Sequence, residues 1–425
     1  MKYLPKGWRL HSFSEICKPK EGLKRGPFGS AIKKEYFVPN GYKVYEQRNA
    51  IYDDVKKGNY FISAEKYNEL INFSVEPGDF IVSCSGTLGK ISQIPISAEK
   101  GVINQALLRI RVEENIISKK YFLYFFRSSD FQRKILIQSQ GTAMTNMVGM
   151  KDFKEIKIPI PPLETQQRIV SKIEELFSEL EKGVEELKKS LDQLKVYRQS
   201  VLKWAFEGRF TNENVKEGEL PEGREWTTFE KVCVKIGDID HKMPKQLDKG
   251  YPYVSTKDFT DDLKISFDKA KYVSEEDYLK LSRKIKPEKG DIIFPRYGTI
   301  GKNILVDFDK EFLVSYSCAV IKPNYDKVIS KYIYLFSLSP KVIDEIRKYV
   351  VETTQANIGI SSIKSFLFPL SSQEEQHQIV QEIESRLSVA DKMEEQIKTS
   401  LQQAEALKQS ILKKAFSGEL VTGRV

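Results

Sequence analysis

Histidine is nearly missing from this chain. The three that occur in 425 residues, His11, His241 and His377, share no motif with a nucleophile or a metal ligand. That scarcity argues against general-base or metal chemistry built on imidazole. The four cysteines, Cys17, Cys84, Cys233 and Cys318, stand far apart, with no CxxC pair and no histidine placed to complete a zinc site. A reduced, cytoplasmic protein is the natural expectation. No run approaches the ~18 to 20 apolar residues of a membrane span, and MKYLPKGWRL lacks a signal-peptide core, so neither secretion nor membrane insertion is expected. Nucleotide signatures are missing as well. GTLGK (86–90) and GTIGK (298–302) end like a phosphate loop, but Cys84 and Arg296 stand where its first glycine belongs, and Ile91 and Asn303 where its Ser or Thr belongs. A tight turn between strands is the better reading. No GxGxxG follows a strand, and no Asn-Pro-Pro-aromatic run of the amino-methyltransferase kind occurs. The sequence nominates no catalytic residue, cofactor site or metal site, and reads as a non-enzyme.

What is present is a duplication. Residues 164–210 (ETQQRIVSKIEELF…QSVLKWAFEGRF) align without a gap on residues 374–420 (EEQHQIVQEIESRL…QSILKKAFSGEL), with 20 identities in 47 positions. The repeat extends outward: LPKG (4–7) answers LPEG (220–223), Phe13 answers Phe229, Cys17 answers Cys233, and GDFIVSCSGTLGK (78–90) answers GDIIFPRYGTIGK (290–302). Each half therefore runs from a diverged region to a better-kept segment. Hydrophobic residues at 40% and aromatics at 11% suffice for folded cores, and 68 Lys plus Arg against 59 Asp plus Glu leave +9, compatible with a polyanionic partner.

The better-kept segments are helices. Val170, Ile173, Phe177, Leu180, Val184, Leu187, Leu191 and Leu194 alternate spacings of three and four, the seam of a coiled coil. The copy has Val380, Ile383, Leu387, Ala390, Ile397, Leu401, Ala404 and Ile411, interrupted where Glu394 answers Val184. Pro161 and Pro162 mark the first start, Ser372 with Glu375 suggests a capping box at the second, and Gly208 and Gly418 supply the stops. Short β-like runs between Gly, Pro and Asn turns fill the diverged regions. The expectation is an α+β chain: two mixed α/β regions separated by two long helices forming an antiparallel coiled coil, with an internal pseudo-twofold repeat. Its domains would be 1–160, 161–212, 213–370 and 371–425.

Surface polarity in the diverged regions suits nucleic acid. In the first, Lys24, Arg25 and Ser30 surround GPFGS, and Gln47, Arg48 and Asn49 form a set able to make bidentate contacts to base edges. In the second, Lys257 follows YVST, while Arg296 and Tyr297 join a guanidinium to an aromatic ring. The paired loops add Ser85, Thr87 and Lys90 in one half and Thr299 and Lys302 in the other. Thr145 and Asn146 before the first helix, and Gln355 and Asn357 before the second, either read bases or cap turns.

Together these pieces resemble a known family, the specificity (S) subunits of type I restriction-modification systems. The likeness rests on the starts at Leu4 and Leu220, GPFGS at Gly26, the two GDxI…GTxGK segments, PLETQQRIV, and QSVLKWAFEGRF with QSILKKAFSGEL, in the same order in each half. The resemblance implies two target-recognition domains, each reading one half of a bipartite asymmetric site in double-stranded DNA. It further implies helices that set the spacing and dock two methyltransferase (M) subunits, with restriction (R) subunits supplying cleavage. Catalysis would then lie in the partners. Two other readings stay open: the specificity partner of a type IIB-like restriction-methylation enzyme, separable by neighbouring genes, and a coiled-coil scaffold that binds no DNA.

Overall fold

The computed structural model describes residues 4–138, 145–211, 215, 219–241, 243–349 and 357–421. Its chain forms two compact units, Met1–Leu187 with Thr399–Val425, and Lys188–Lys398, so the long helices Leu163–Phe206 and Gln373–Ser417 each contribute to both. No helix among the described residues is long and apolar enough to cross a membrane.

In the first unit an antiparallel four-stranded sheet runs in the order Leu23–Arg25, Leu107–Ile110, Phe80–Ser83, Ile91–Gln93. A second sheet, of five strands, pairs Tyr42–Tyr45 parallel to Gly101–Ile103 at its centre. The second unit repeats the plan: Cys233–Gly237, Cys318–Pro323, Ile292–Pro295 and Ile304–Leu305 form the four-stranded sheet, and Tyr251–Val254 lies parallel to Leu313–Val314 in a three-stranded one. In each unit a two-stranded pairing, Arg9–Ser12 with Lys157–Ile160 or Glu225–Thr228 with Leu367–Leu370, joins the entry to the segment that leads into a long helix. The matched phenylalanines centre the cores. Phe13 is fully buried against Phe153, Phe122 and Phe131, and Phe229 against Phe366, Phe368 and Phe336.

The GDxI motif is internal. Asp79 is 4% exposed, accepts from the Glu76 amide at 2.8 Å, and pairs with Arg111; Asp291 is 2% exposed, accepts from the Glu288 amide at 2.7 Å, and pairs with Lys322 at 2.6 Å. Burial raises both carboxyl pKa values, and the cations oppose that shift. The preceding glycines, Gly78 and Gly290, sit at φ +94° and +92°, where a side chain is strained. Thus the motif closes a turn onto its sheet. GTLGK and GTIGK likewise connect antiparallel strands, as the turn reading expects.

The helix pair is antiparallel within each unit. In the first, Arg168 lies beside Leu420, while further along Glu181 pairs with Lys408, whose ammonium sits over the Phe177 ring. In the second, Arg198 meets Asp391 and Glu394, and further along Phe210 lies against Arg386. Every seam residue faces inward to some degree: Val170, Ile173, Val380, Ile383, Ala390, Ala404 and Ile411 are buried, and Phe177, Leu180, Val184, Leu187, Leu191, Leu194, Leu387, Ile397 and Leu401 are half-buried. The interruption at Glu394 is explained by Arg198, which occupies the next seam step after Leu194 and binds it at 2.8 Å.

Both stops behave as expected. Gly208 and Gly418 take φ +87° and +85°, and a Cβ there would run into Pro221 and Pro5 respectively. At the second helix start the Ser372 hydroxyl accepts from the Glu375 amide, but the Glu375 carboxylate goes to Arg224 instead of returning to the cap. The reciprocal box is therefore half formed.

Two glutamines, unremarked in the sequence, fasten the helices to their sheets. Gln166 is fully buried; its Oε1 accepts from the Ser118 amide and its Nε2 donates to the Ile116 and Pro161 carbonyls. Gln376, its repeat counterpart, is equally buried, accepts from the Ile329 amide and donates to the Lys327 and Ser371 carbonyls.

Candidate nucleic-acid interface

In the first unit the chain leaves strand Tyr42–Tyr45 and turns into the short helix Gln47–Ile51. Asn49 makes that turn: its Oδ1 accepts from the Glu46 amide, and its Nδ2 donates to the Asp54 and Lys57 carbonyls. At 0% exposure with its amide occupied, Asn49 cannot reach a base edge, which corrects its assignment as a contact. It presents Gln47 and Arg48 instead. Arg48 is exposed, paired with Glu46 at 3.0 Å and lying over the Tyr60 ring. Gln47 stands beside Gly86 of the GTLGK loop, and its Oε1 has no protein partner.

That loop is held from below. The Ser83 hydroxyl donates to the Thr87 carbonyl at 2.6 Å and accepts from the Lys90 amide at 3.0 Å, leaving Ser85, Thr87 and Lys90 exposed. Arg25 donates to the Cys84 carbonyl, joining the end of its strand to the same loop, while Lys24 lies over Phe73 and Ser30 is exposed. The first unit therefore gathers Arg25, Gln47 and the 85–90 loop at one end of the strands of its four-stranded sheet.

The second unit has the same turn in different residues. After Tyr251–Val254, Ser255 and Asp258 form the reciprocal cap that Glu46 and Asn49 form in the first, so Thr256 and Lys257 stand where Gln47 and Arg48 do. Lys257 is exposed; Thr256 was missed in the sequence because the segments this turn aligns, VYEQRN (44–49) and YVSTKD (253–258), share no identical residue. Arg296 is a second correction. It is 8% exposed, bound to Asp238 and donating to the Ile358 and Tyr316 carbonyls, so its fork is occupied inside the protein. Its guanidinium also underlies Tyr297, which is half-buried and bridges to Asn357. Thr299 and Lys302 are exposed on the loop, Lys302 being 3.3 Å from Asp261. Thr145 and Asn146 lie on a strand, Thr145–Met147, paired with Leu136–Gln138; Gln355 lies outside the described residues. No group of three or more metal-ligating side chains occurs among the described residues.

Two similar domains, each offering a cluster of polar loops at the strand ends of its sheet, thus alternate with two halves of one helix pair. The sequence pattern of the type I restriction modification DNA specificity domain matches residues 5–189 and again 226–403. The chain belongs to that family. Among its relatives, the type I restriction enzyme EcoBI specificity subunit of Escherichia coli is 26% identical over 86% of this chain and 78% of its own, and the EcoKI specificity subunit of Escherichia coli strain K12 is 27% identical over 81% and 75%. The fold matches a chain solved in a study of assembly and conformational transition of the type I R-M system, with a TM-score of 0.66 at 20% identity over 99% of this chain and all of that one. It also matches the HsdS subunit of Thermoanaerobacter tengcongensis, with a TM-score of 0.55 at 20% identity over 98% and 99%. The two family domains coincide with the two repeats, and the specificity function of the family is that of this chain.

Proposed function

We propose that this specificity subunit reads a bipartite, asymmetric site in double-stranded DNA, one half with the loops at the strand ends of each unit. The helix pair holds the readers at a fixed separation along the duplex and docks two methyltransferase subunits. Those partners bring the methyl-transfer chemistry, and restriction subunits the cleavage, while this chain supplies recognition without a catalytic group of its own.

One observation carries the reading. The two units share the order of their four-stranded sheets, the capped turn and internal fastenings, and keep Thr87 and Lys90 as Thr299 and Lys302, yet differ beside them: Gln47 and Arg48 against Thr256 and Lys257, Ser85 against Tyr297. Equal scaffolds with unequal surfaces suit two different half-sites, since base edges are told apart by the donors and acceptors set against them. Exposed Lys90, Lys257 and Lys302 suit phosphates, which position a protein on the duplex without selecting sequence. The test exchanges the first reader for that of another family member and sequences the methylated bases in a host carrying the hybrid with its methyltransferase. One half-site should change and the other persist. A change in both, or in neither, refutes the division of labour.

A further inference from the structure

The registers of the two four-stranded sheets allow the readers to be superposed residue by residue. Leu23 lies opposite Ile110 and Ile236 opposite Ile321, and the next residue but one on each strand is joined to the facing loop, Arg25 to the Cys84 carbonyl and Asp238 to Arg296. Counting on three residues from Arg25 and Asp238 without a gap sets position 28 of the first reader against position 241 of the second. Both carry an exposed ring. Phe28 is 89% exposed and the His241 side chain 62%.

Neither ring hangs on a loose loop. Around Phe28, Pro27 is buried, a Cβ at Gly26 would stand 1.8 Å from the Asn104 carbonyl oxygen, and one at Gly29 would meet the Gln105 amide at 2.5 Å. On this closely seated backbone Phe28 points outward. His241 follows the buried Ile239, stacks on Tyr316 with centroids 4.7 Å apart, and has its Nε2 3.6 Å from Asp238, the carboxylate that Arg296 holds. A Phe left in water forgoes roughly 1.5 to 3 kcal/mol of burial. A fold that builds a rigid seat for an exposed ring at the same step in both copies has a partner for it. In the first reader Arg25, Lys33 and Lys34 are exposed around the loop, Lys33 within 3.5 Å of the exposed Glu35, and the positive excess suits an anionic partner.

We infer that Phe28 and His241 are matched specificity-determining contacts, each touching one base pair of its own half-site. This rests on the DNA-reading function proposed above. Phe28 offers only apolar surface, and the apolar mark in the major groove is the thymine methyl group. His241 offers a ring nitrogen that hydrogen-bonds a base edge. Arg296 is then a positioning residue: it fixes Asp238 and the Tyr316 carbonyl, and through them the imidazole.

The experiment selects from a random-sequence double-stranded DNA library with the full chain assembled with its methyltransferase subunits. The parent should enrich a two-part motif. Phe28→Ala should flatten one thymine position in the first part only, and His241→Ala one position in the second part only, each losing roughly 5- to 150-fold in discrimination. Replacing that thymine by uracil should weaken the parent several-fold and leave Phe28→Ala unaffected. Arg296→Lys should relax the same position as His241→Ala, a result that general loosening of the fold would not give. Unchanged motifs in both ring variants, or equal weakening on all sequences, overturn the inference while leaving the function standing. A parent that enriches no motif overturns both.

Discussion

Replacing Gln376 by alanine should loosen the second unit where its long helix meets the sheet, and the size of the effect follows from three hydrogen bonds. The wild-type amide accepts from the Ile329 N–H at 2.9 Å and donates to the Lys327 and Ser371 carbonyls, each at 2.9 Å. Truncation strands one donor and two acceptors in a place where the side chain itself is fully buried. Each stranded group costs about 1 to 3 kcal/mol, less where water enters the vacated space, so about 2 to 5 kcal/mol is expected in total. Native-state hydrogen exchange gives the local reading: the Ile329 amide should exchange about 30-fold faster or more, from a loss of at least about 2 kcal/mol in local protection. Gln166→Ala should do the same at Ser118 and leave Ile329 unchanged. Gln376→Glu is a sharper variant, because it keeps the shape but turns an oxygen toward two carbonyls that need a donor; it should be worse than alanine once ionised. Acceleration below about 3-fold at Ile329, or equal acceleration in both units, would refute the view that these glutamines fasten each unit separately.

Asn49→Ala should lower the stability of the first unit by about 2 to 4 kcal/mol, since the Glu46 amide and the Asp54 and Lys57 carbonyls lose their partner, and a denaturation curve for the second unit's probes should not move. Burial pushes the Cys84 thiol up to about 11 and Cys17, Cys233 and Cys318 up to about 12, so iodoacetamide at neutral pH should label the native chain far more slowly than the unfolded one. Equal labelling rates would contradict that burial. Hydrogen bonding from Lys398, and then from Arg198, holds the Glu394 carboxyl below its usual 4.5. Its contribution is therefore present above the unfolded value and lost as pH falls through the lower folded one, so Glu394→Gln should flatten the decline in thermal stability on acidification below the usual carboxylate range.

The helices were legible in the sequence because their seam has a strict period and their ends have glycine and proline, signals that act within a few residues. Position in the readers was not legible, for a reason that Arg296 and Asn49 show. Both are residue types that read bases and both sit next to candidates at the surface, yet partners the fold delivers decide their fate: the distant Asp238 and Ile358 for one, Asp54 and Lys57 of the following turn for the other. A sequence shows residue type but not which carbonyl will arrive beside it. His241 is the converse. Its lack of a motif gave no hint that its count along the strand would match that of Phe28 in the other half. The same limit hid Gln166 and Gln376, although here a signal existed, since an identical amide at matching steps of two otherwise polar helix starts has no surface role that requires it.

The two copies of the helix pair also diverge in a patterned way. Arg198 with Asp391 in the second unit is the repeat counterpart of Lys408 with Glu181 in the first, so one cation–carboxylate link is kept in both. The third member differs: Glu394 completes a charged cluster in the second unit, and Val184 stands in its place in the first. A charged seam position adds little net stability, because desolvation offsets attraction, but it penalises any register in which the charge meets leucine. With the apolar seam alone, a slip of one heptad would still oppose apolar residues to apolar residues. Arg198 and Glu394 remove that freedom, and the proposed reading of two half-sites requires its removal. Exchanging both for the leucine and valine of an apolar seam should thus preserve or raise the melting temperature while blurring the separation between half-sites, whereas losing Arg198 alone should lower it.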